Sequence, residues 1–305
     1  MAMFRGSFVL TATLCLALLG SAQQGSHPLP PSPVPVGSTA SGAVSVQQDI
    51  PYGVVDGEKL LLDLYLPGDT GSRPRPAVVL IHGGGWSSFD KSTMQGMGNF
   101  LARAGFVAAS VDYRLLGGTD NRWPVQLDDV QRAVRWLRAN AGKYNIDPNH
   151  IGAFGHSSGA QLAALLGMED TRDNSDPALA RYSSRVQAVV DVSGPADFLS
   201  DHDPDGDAFL TVFFGGSYEK APEVWRDASP IAHVAKSDAP FLIVHGTQDQ
   251  SVPIAQAQEL YEKLKQAGVK VSFVKFDDGH MFTPENRKQL ALETLTFFNR
   301  YLVID

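Results

Sequence analysis

Gly155-His156-Ser157-Ser158-Gly159 is a serine between two glycines, placed where a serine can become a nucleophile. The apolar run Ile151 to Phe154 precedes it, and the helix former Ala160 to Leu166 follows. A strand, G-x-S-x-G and a helix make a nucleophile elbow, a turn too tight for side chains beside the serine. The expectation is a strained Ser157 with its hydroxyl exposed above the sheet edge. His82-Gly83-Gly84-Gly85-Trp86, after the apolar run Ala77 to Ile81, supplies what acyl transfer needs next. Its backbone N–H groups can converge on one point and hold a carbonyl oxygen as it becomes an anion. Gly83, Gly84 and the amide of Ser158 are the expected donors. A phosphate-cradling loop is the rival reading, but G-x-G-x-x-G spacing and a following G-K-[ST] are absent.

An elbow serine needs an acid and then a histidine, in that chain order. His202, His233, His245 and His280 follow Ser157. His245 ends the buried run Phe241 to Val244 and reads as a structural histidine. His202 and His233 lie in polar sequence with no strand behind them. His280, in Asp277-Asp278-Gly279-His280-Met281-Phe282, follows the last strand on a glycine-hinged loop and is the expected base. Asp249, closing His245-Gly246-Thr247-Gln248-Asp249, is the expected acid, with Asp197 the fallback. Asp277 and Asp278 read as a turn. No His and Cys occur at zinc spacing, so neither metal nor cofactor is expected.

These residues must be carried by alternating strands and helices. Strands are expected at Val54 to Leu66, Ala77 to His82, Phe106 to Asp112, Ile151 to Phe154, Val186 to Val192, Phe241 to Val244 and Val269 to Lys275. Helices are expected at Val125 to Leu137, Ile254 to Leu264 and Arg287 to Tyr301, with Met94, Met97 and Phe100 on another helix face. That alternation implies an α/β domain: a mostly parallel central sheet with helices on both faces. Residues 169–182 and 200–236 are polar with apolar islands and read as short cap insertions over the pocket. Trp86 and Trp123 flank that pocket, where either could stack on a sugar or aromatic acyl group.

The 305 residues are 43% hydrophobic with a net charge of −8, which argues against a nucleic-acid surface. Arg5, the apolar Phe8 to Leu19 and the small residues Gly20-Ser21-Ala22 read as a signal peptide, 1–22; an N-terminal membrane anchor is the rival. The single cysteine, Cys15, lies inside it, so the mature protein needs no disulfide. Residues 23–42 read as a Pro/Ser/Gly-rich linker, and 43–305 as the folded domain. The expected location is secreted or periplasmic, with no membrane span after cleavage.

From about Val44 onward the chain resembles an α/β-hydrolase of the hormone-sensitive-lipase-like esterases. More narrowly it is similar to their bacterial feruloyl-esterase-like branch. The resemblance rests on His82 to Trp86, Asp112-Tyr113-Arg114, Asp129 with Ala133 to Leu137, Gly155 to Gly159, His245 to Asp249 and Gly279-His280. It implies Ser157 as nucleophile, Asp249 as acid, His280 as base, and Gly83, Gly84 and Ser158 as oxyanion donors. Two departures stand out. Ser158-Gly159-Ala160 replaces the commoner Ala-Gly-Gly. Met281 replaces a glycine and is expected to narrow the pocket near the base. The implied activity is carboxylic-ester hydrolysis on short-chain or polysaccharide-linked acetyl or feruloyl esters. A peptidase or amidase, and a non-enzymatic binding protein, are the alternatives; intact Ser157, Asp249 and His280 argue against the last.

Overall fold

A computed structural model describes residues 42–68, 73–200 and 208–303. Among these residues eight strands form one sheet: β1 (Ser45–Val55), β2 (Glu58–Leu66), β3 (Arg75–Ile81), β4 (Val107–Val111), β5 (Ile146–His156), β6 (Ala188–Val192), β7 (Phe241–Gly246) and β8 (Val271–Phe276). Their spatial order is β1-β2-β4-β3-β5-β6-β7-β8. β1, β2 and β4 pair antiparallel, and from β4 to β8 every neighbour is parallel. Among the described residues, nine helices accompany the strands: α1 (Gln95–Arg103), α2 (Val125–Ala139), α3 (Ala141–Tyr144), α4 (Ser158–Met168), α5 (Ala208–Phe214), α6 (Pro222–Ala228), α7 (Pro230–His233), α8 (Ile254–Ala267) and α9 (Pro284–Leu302).

Strand alternation divides the core in two. Val79 and Ile81 of β3 face a layer built on Leu127 and Val134 of α2, Leu162 and Leu166 of α4, and Leu260 of α8. Val78 and Leu80 face the opposite layer, with Leu101 of α1 and Phe297 and Phe298 of α9. The central strands are therefore apolar on both faces, which explains why they read as continuous apolar runs.

One expected element divides differently. Val54 to Leu66 is not a single strand. Asp56 and Gly57 both have positive φ, 52° and 84°, and close a hairpin between β1 and β2. An Asp-Gly pair is well suited to such a turn, because both central residues need φ above zero. The two insertions differ in build. Residues 169–182 form no helix and are tied to α2 by Arg132 paired with Asp173 and Asp176, and by Arg135 bonded to Asn174. Residues 208–233 fold as α5, α6 and α7. Their apolar islands Phe213, Phe214 and Trp225 are buried in the main core. The expected signal peptide and most of the linker, together with His202, lie outside the described residues.

Candidate active site

Strand β5 delivers the serine and α4 leaves it. Ser157 has φ 55° and ψ −125°, a conformation that a side-chain-bearing residue adopts only under strain. Sterics account for both flanking glycines. A Cβ on Gly155 would lie 2.1 Å from the Gly159 carbonyl oxygen, and one on Gly159 only 2.3 Å from that of Ile81. The Ser157 amide donates to the Val192 carbonyl at 2.8 Å, locking the turn to β6. Beneath it, Asp191 pairs in register with Gly155, and its carboxylate accepts from the Gly194 amide at 3.0 Å. Burial pushes the Asp191 carboxyl up to about 6.

The glycine loop comes to the same place from β3. A Cβ on Gly83 would sit 2.9 Å from the His156 carbonyl oxygen and 3.1 Å from the Ser157 side chain. Gly84, at φ 113°, would bring a Cβ within 2.1 Å of the Ser88 carbonyl oxygen. Its own carbonyl accepts from the Ser87 amide and the Ser88 hydroxyl. Ser158 opens α4, so its amide is among the first four of a helix and has no intrahelical acceptor. Gly83 is thus packed against Ser157, Ser158 follows it directly, and Gly84 is the next residue of the loop.

His280 lies between β8 and α9 and meets two partners. Its Nε2 is 2.9 Å from the Ser157 Oγ, and its Nδ1 is 2.7 Å from the Asp249 Oδ2. A carboxylate only accepts, so Nδ1 carries the proton and Nε2 is free to accept from the serine hydroxyl. The Asp249 side chain has no solvent exposure. Burial alone would raise its pKa, but the amides of Val252 and Ser251 and the His280 N–H outweigh it. The carboxyl is held below its ordinary range. His245 is fully buried and structural, as expected: its Nε2 donates to the Val252 carbonyl at 2.8 Å and lies 3.2 Å from Asp249 Oδ2.

The fallback acid is placed elsewhere. Asp197 binds its own loop, accepting from the Leu199 amide and the Ser200 hydroxyl. His233 pairs with Glu169 at 2.7 Å. Asp277 accepts from Thr247 and Gln248, and Asp278 from the Gly279 and Thr283 amides, so both are turn-builders. Asp112-Tyr113-Arg114 braces the glycine loop. The Tyr113 hydroxyl donates to the His82 carbonyl at 3.0 Å with its ring stacked on the imidazole, while Arg114 grips Asp129 through two nitrogens.

Two expectations about the pocket are corrected. Trp86 is 5% exposed and Trp123 is 7% exposed. Trp86 stacks on Phe213 at 4.6 Å and donates its N–H to Gln161; Trp123 meets Phe213 edge-on and donates to Asp227. Their rings are consumed by packing and offer no open platform for a sugar. Met281, 70% exposed, stands out into solvent and does not pack beside the base. A residue the sequence reading passed over is His156, whose ring lies 5.1 Å from that of His280. Its place before the nucleophile was the available signal. Among the described residues no group of three or more His, Cys, Asp or Glu is arranged to hold a metal, and no helix is long and apolar enough to cross a membrane.

Comparison with known proteins places this geometry. Esterase LipC of Mycobacterium tuberculosis is 34% identical over 221 residues, covering 70% of this chain and 54% of that protein. Isoprenylcysteine alpha-carbonyl methylesterase ICME of Arabidopsis thaliana is 28% identical over 239 residues, 75% of this chain and 55% of that one. The chain spans about half the length of these curated relatives. Among solved structures, a truncated carbohydrate esterase from gut microbiota superposes with a TM-score of 0.71 at 28% identity, over 84% of this chain and 95% of that one. The propionate-bound thermophilic esterase Est2 of Thermogutta terrifontis gives 0.73 at 27% identity, over 87% and 97%. Residues 62–264 match the family model BD-FAE. The sheet, the elbow and these likenesses agree: the chain belongs to the BD-FAE family and has the α/β-hydrolase fold.

Proposed function

We propose that the protein is a serine carboxylic-ester hydrolase acting on short acyl esters. The observation that carries this reading is the continuous relay from Ser157 through His280 to Asp249, at 2.9 and 2.7 Å, beneath a strained elbow. Ser157 Oγ attacks the ester carbonyl while His280 Nε2 takes its proton. The amides of Gly83, Gly84 and Ser158 receive the oxyanion. Asp249, held ionised, keeps the imidazole in the correct tautomer and stabilises the imidazolium that forms. His280 returns the proton to the leaving alkoxide, and the acyl group remains on Ser157. Water, deprotonated by His280, then attacks the acyl-enzyme and frees Ser157.

The printed names of the relatives support an ester substrate: an esterase, a methylesterase and a carbohydrate esterase. Est2 was captured with propionate and with butyrate, which favours short acyl groups. With Trp86 and Trp123 committed to packing, the case for a polysaccharide ester rests on the likeness to a carbohydrate esterase and on an exported chain. Phe8 to Leu19 and Gly20-Ser21-Ala22 carry that proposal, with the mature chain starting near Gln23 outside the cytoplasm. Hydrolysis of nitrophenyl esters of increasing acyl length tests the first point, beside release of acetate or ferulate from xylan fragments. Activity that rises with chain length and needs an emulsion would make the enzyme a lipase instead. N-terminal sequencing of exported protein tests the second: an intact Met1 would refute cleavage.

A further inference from the structure

His156 belongs to none of the steps above, yet it touches the base and the glycine loop. It precedes the nucleophile directly. Its Nε2 lies 3.2 Å from the His280 carbonyl oxygen, and the two rings pack at 5.1 Å with a 45° tilt. Its Nδ1 edge faces the glycine loop: a Cβ on Gly83 would fall 3.2 Å from it. A carbonyl can only accept, so Nε2 must carry the proton. Burial lowers the pKa of His156, which favours the neutral ring beside a base that becomes cationic during the reaction.

The base needs such a support. His280 sits on a connection between Phe276 and Pro284, with a glycine before it and an exposed methionine after it. The Nε2 contact with Ser157 is given up as the proton moves, and the bond to Asp249 then holds one ring nitrogen only. A ring held at one nitrogen swings about that contact, and the far nitrogen moves most. A second hold on the main chain of the same residue removes that freedom.

We propose that His156 is the positioning residue for the base: its Nε2–H bond to the His280 carbonyl sets where His280 Nε2 stands over Ser157 Oγ. This rests on the triad reading above. Misplacing a reacting group by about 1 Å costs about 10²-fold, so losing one of two holds should cost about tenfold. Ground-state binding of the ester does not use this bond, so the loss belongs in kcat.

The test compares purified wild type, His156→Phe, His156→Gln, His156→Asn and Ser157→Ala on nitrophenyl acetate, with thermal melting as the folding control. His156→Phe keeps the ring and removes the donor; kcat should fall about tenfold with KM within twofold. In His156→Gln the amide reaches the same carbonyl, and kcat should return to within about threefold of wild type. The shorter His156→Asn falls short of it and should behave like the phenylalanine variant. Should His156→Phe fail to fold, the Gln and Asn pair carries the test, and equal kcat in those two overturns the proposal. A fully active His156→Phe, or a loss that appears in KM alone, also overturns it. Turnover surviving Ser157→Ala would overturn the triad and this proposal together; an inactive Ser157→Ala beside an active His156→Phe overturns this proposal alone.

Discussion

Around Ser157 the chain leaves no room for side chains at four glycines; around His280 one such approach, Gly246 against the Asp278 and Gly279 carbonyls, is joined by a set of hydrogen bonds. Gly155, Gly159, Gly83 and Gly84 all sit where a Cβ would come within 3.0 Å of another atom. On the other side, Asp249 is held by the amides of Ser251 and Val252, and His280 by Asp249 and His156. The nucleophile half is set by backbone sterics, which cannot relax by rotating a bond. The acid–base half is set mainly by polar contacts, each worth about 1 kcal/mol net, or about 1.5–3 where the ionised Asp249 accepts. The difference suits the chemistry: the attacking oxygen and the oxyanion donors must be rigid, whereas the imidazole must receive and return a proton.

The sharpest test removes the nucleophile without touching the frame. Ser157→Ala should lower kcat by about 10⁶ and leave the melting temperature near wild type, since only one oxygen is lost. Steady-state ester turnover and calorimetry check this. A variant retaining a tenth of the activity would place the nucleophile elsewhere.

Next comes the polar half. Asp249→Asn should slow turnover by about 10⁴, because an amide cannot support the imidazolium. Asp197→Asn, a change to a carboxylate that bonds only its own loop, should stay within a few-fold. The reverse ranking in purified variants would move the acid.

Two neighbouring glycines break the comparison more finely. Gly84→Val must displace the Ser88 carbonyl and should cost about 10²–10³ in rate as the oxyanion donors shift. Gly85 has φ 58° and open space around its Cβ direction. Asparagine tolerates that backbone, so Gly85→Asn should remain within several-fold. Equal losses in the two would mean that steric crowding does not set this loop.

The smallest effect lies beneath the elbow and is read in stability. Burial raises the Asp191 carboxyl to about 6 in the folded chain, against about 3.9 when unfolded. The folded state binds this proton more tightly, so the contribution of Asp191 to stability is fullest below about pH 4 and is lost as pH rises through about 6. Asp191→Asn does not titrate and can still accept from the Gly194 amide. It should therefore melt higher than wild type at pH 7 to 8, by at most about 2–3 kcal/mol, with the gain fading by pH 4. A pH-independent difference would show that Asp191 is not a buried charge.

How much of this was legible follows the same division. The elbow and glycine loop were readable because a tight turn demands glycine at fixed positions. The central strands were readable because burial on both faces makes them continuously apolar. The hairpin at Asp56-Gly57 was readable too, but the leucine alternation of β2 masked it. Trp86 and Trp123 were misread because an indole serves a core and a sugar platform equally well, and only Phe213, more than eighty residues further on, decides between them.

The sequence alone determined the candidate nucleophile, the candidate oxyanion loop and the alternating sheet. These depend on contacts between near neighbours, or on a periodicity each segment carries by itself. Tertiary structure decided the rest: that Asp249 rather than Asp197 reaches His280, that the cap aromatics close onto Trp86, and that His156 meets the base. Each of those contacts joins residues 31 to 127 positions apart. Local propensity does not encode such separations; they arise when the strands align in register and bring their loops to one edge of the sheet.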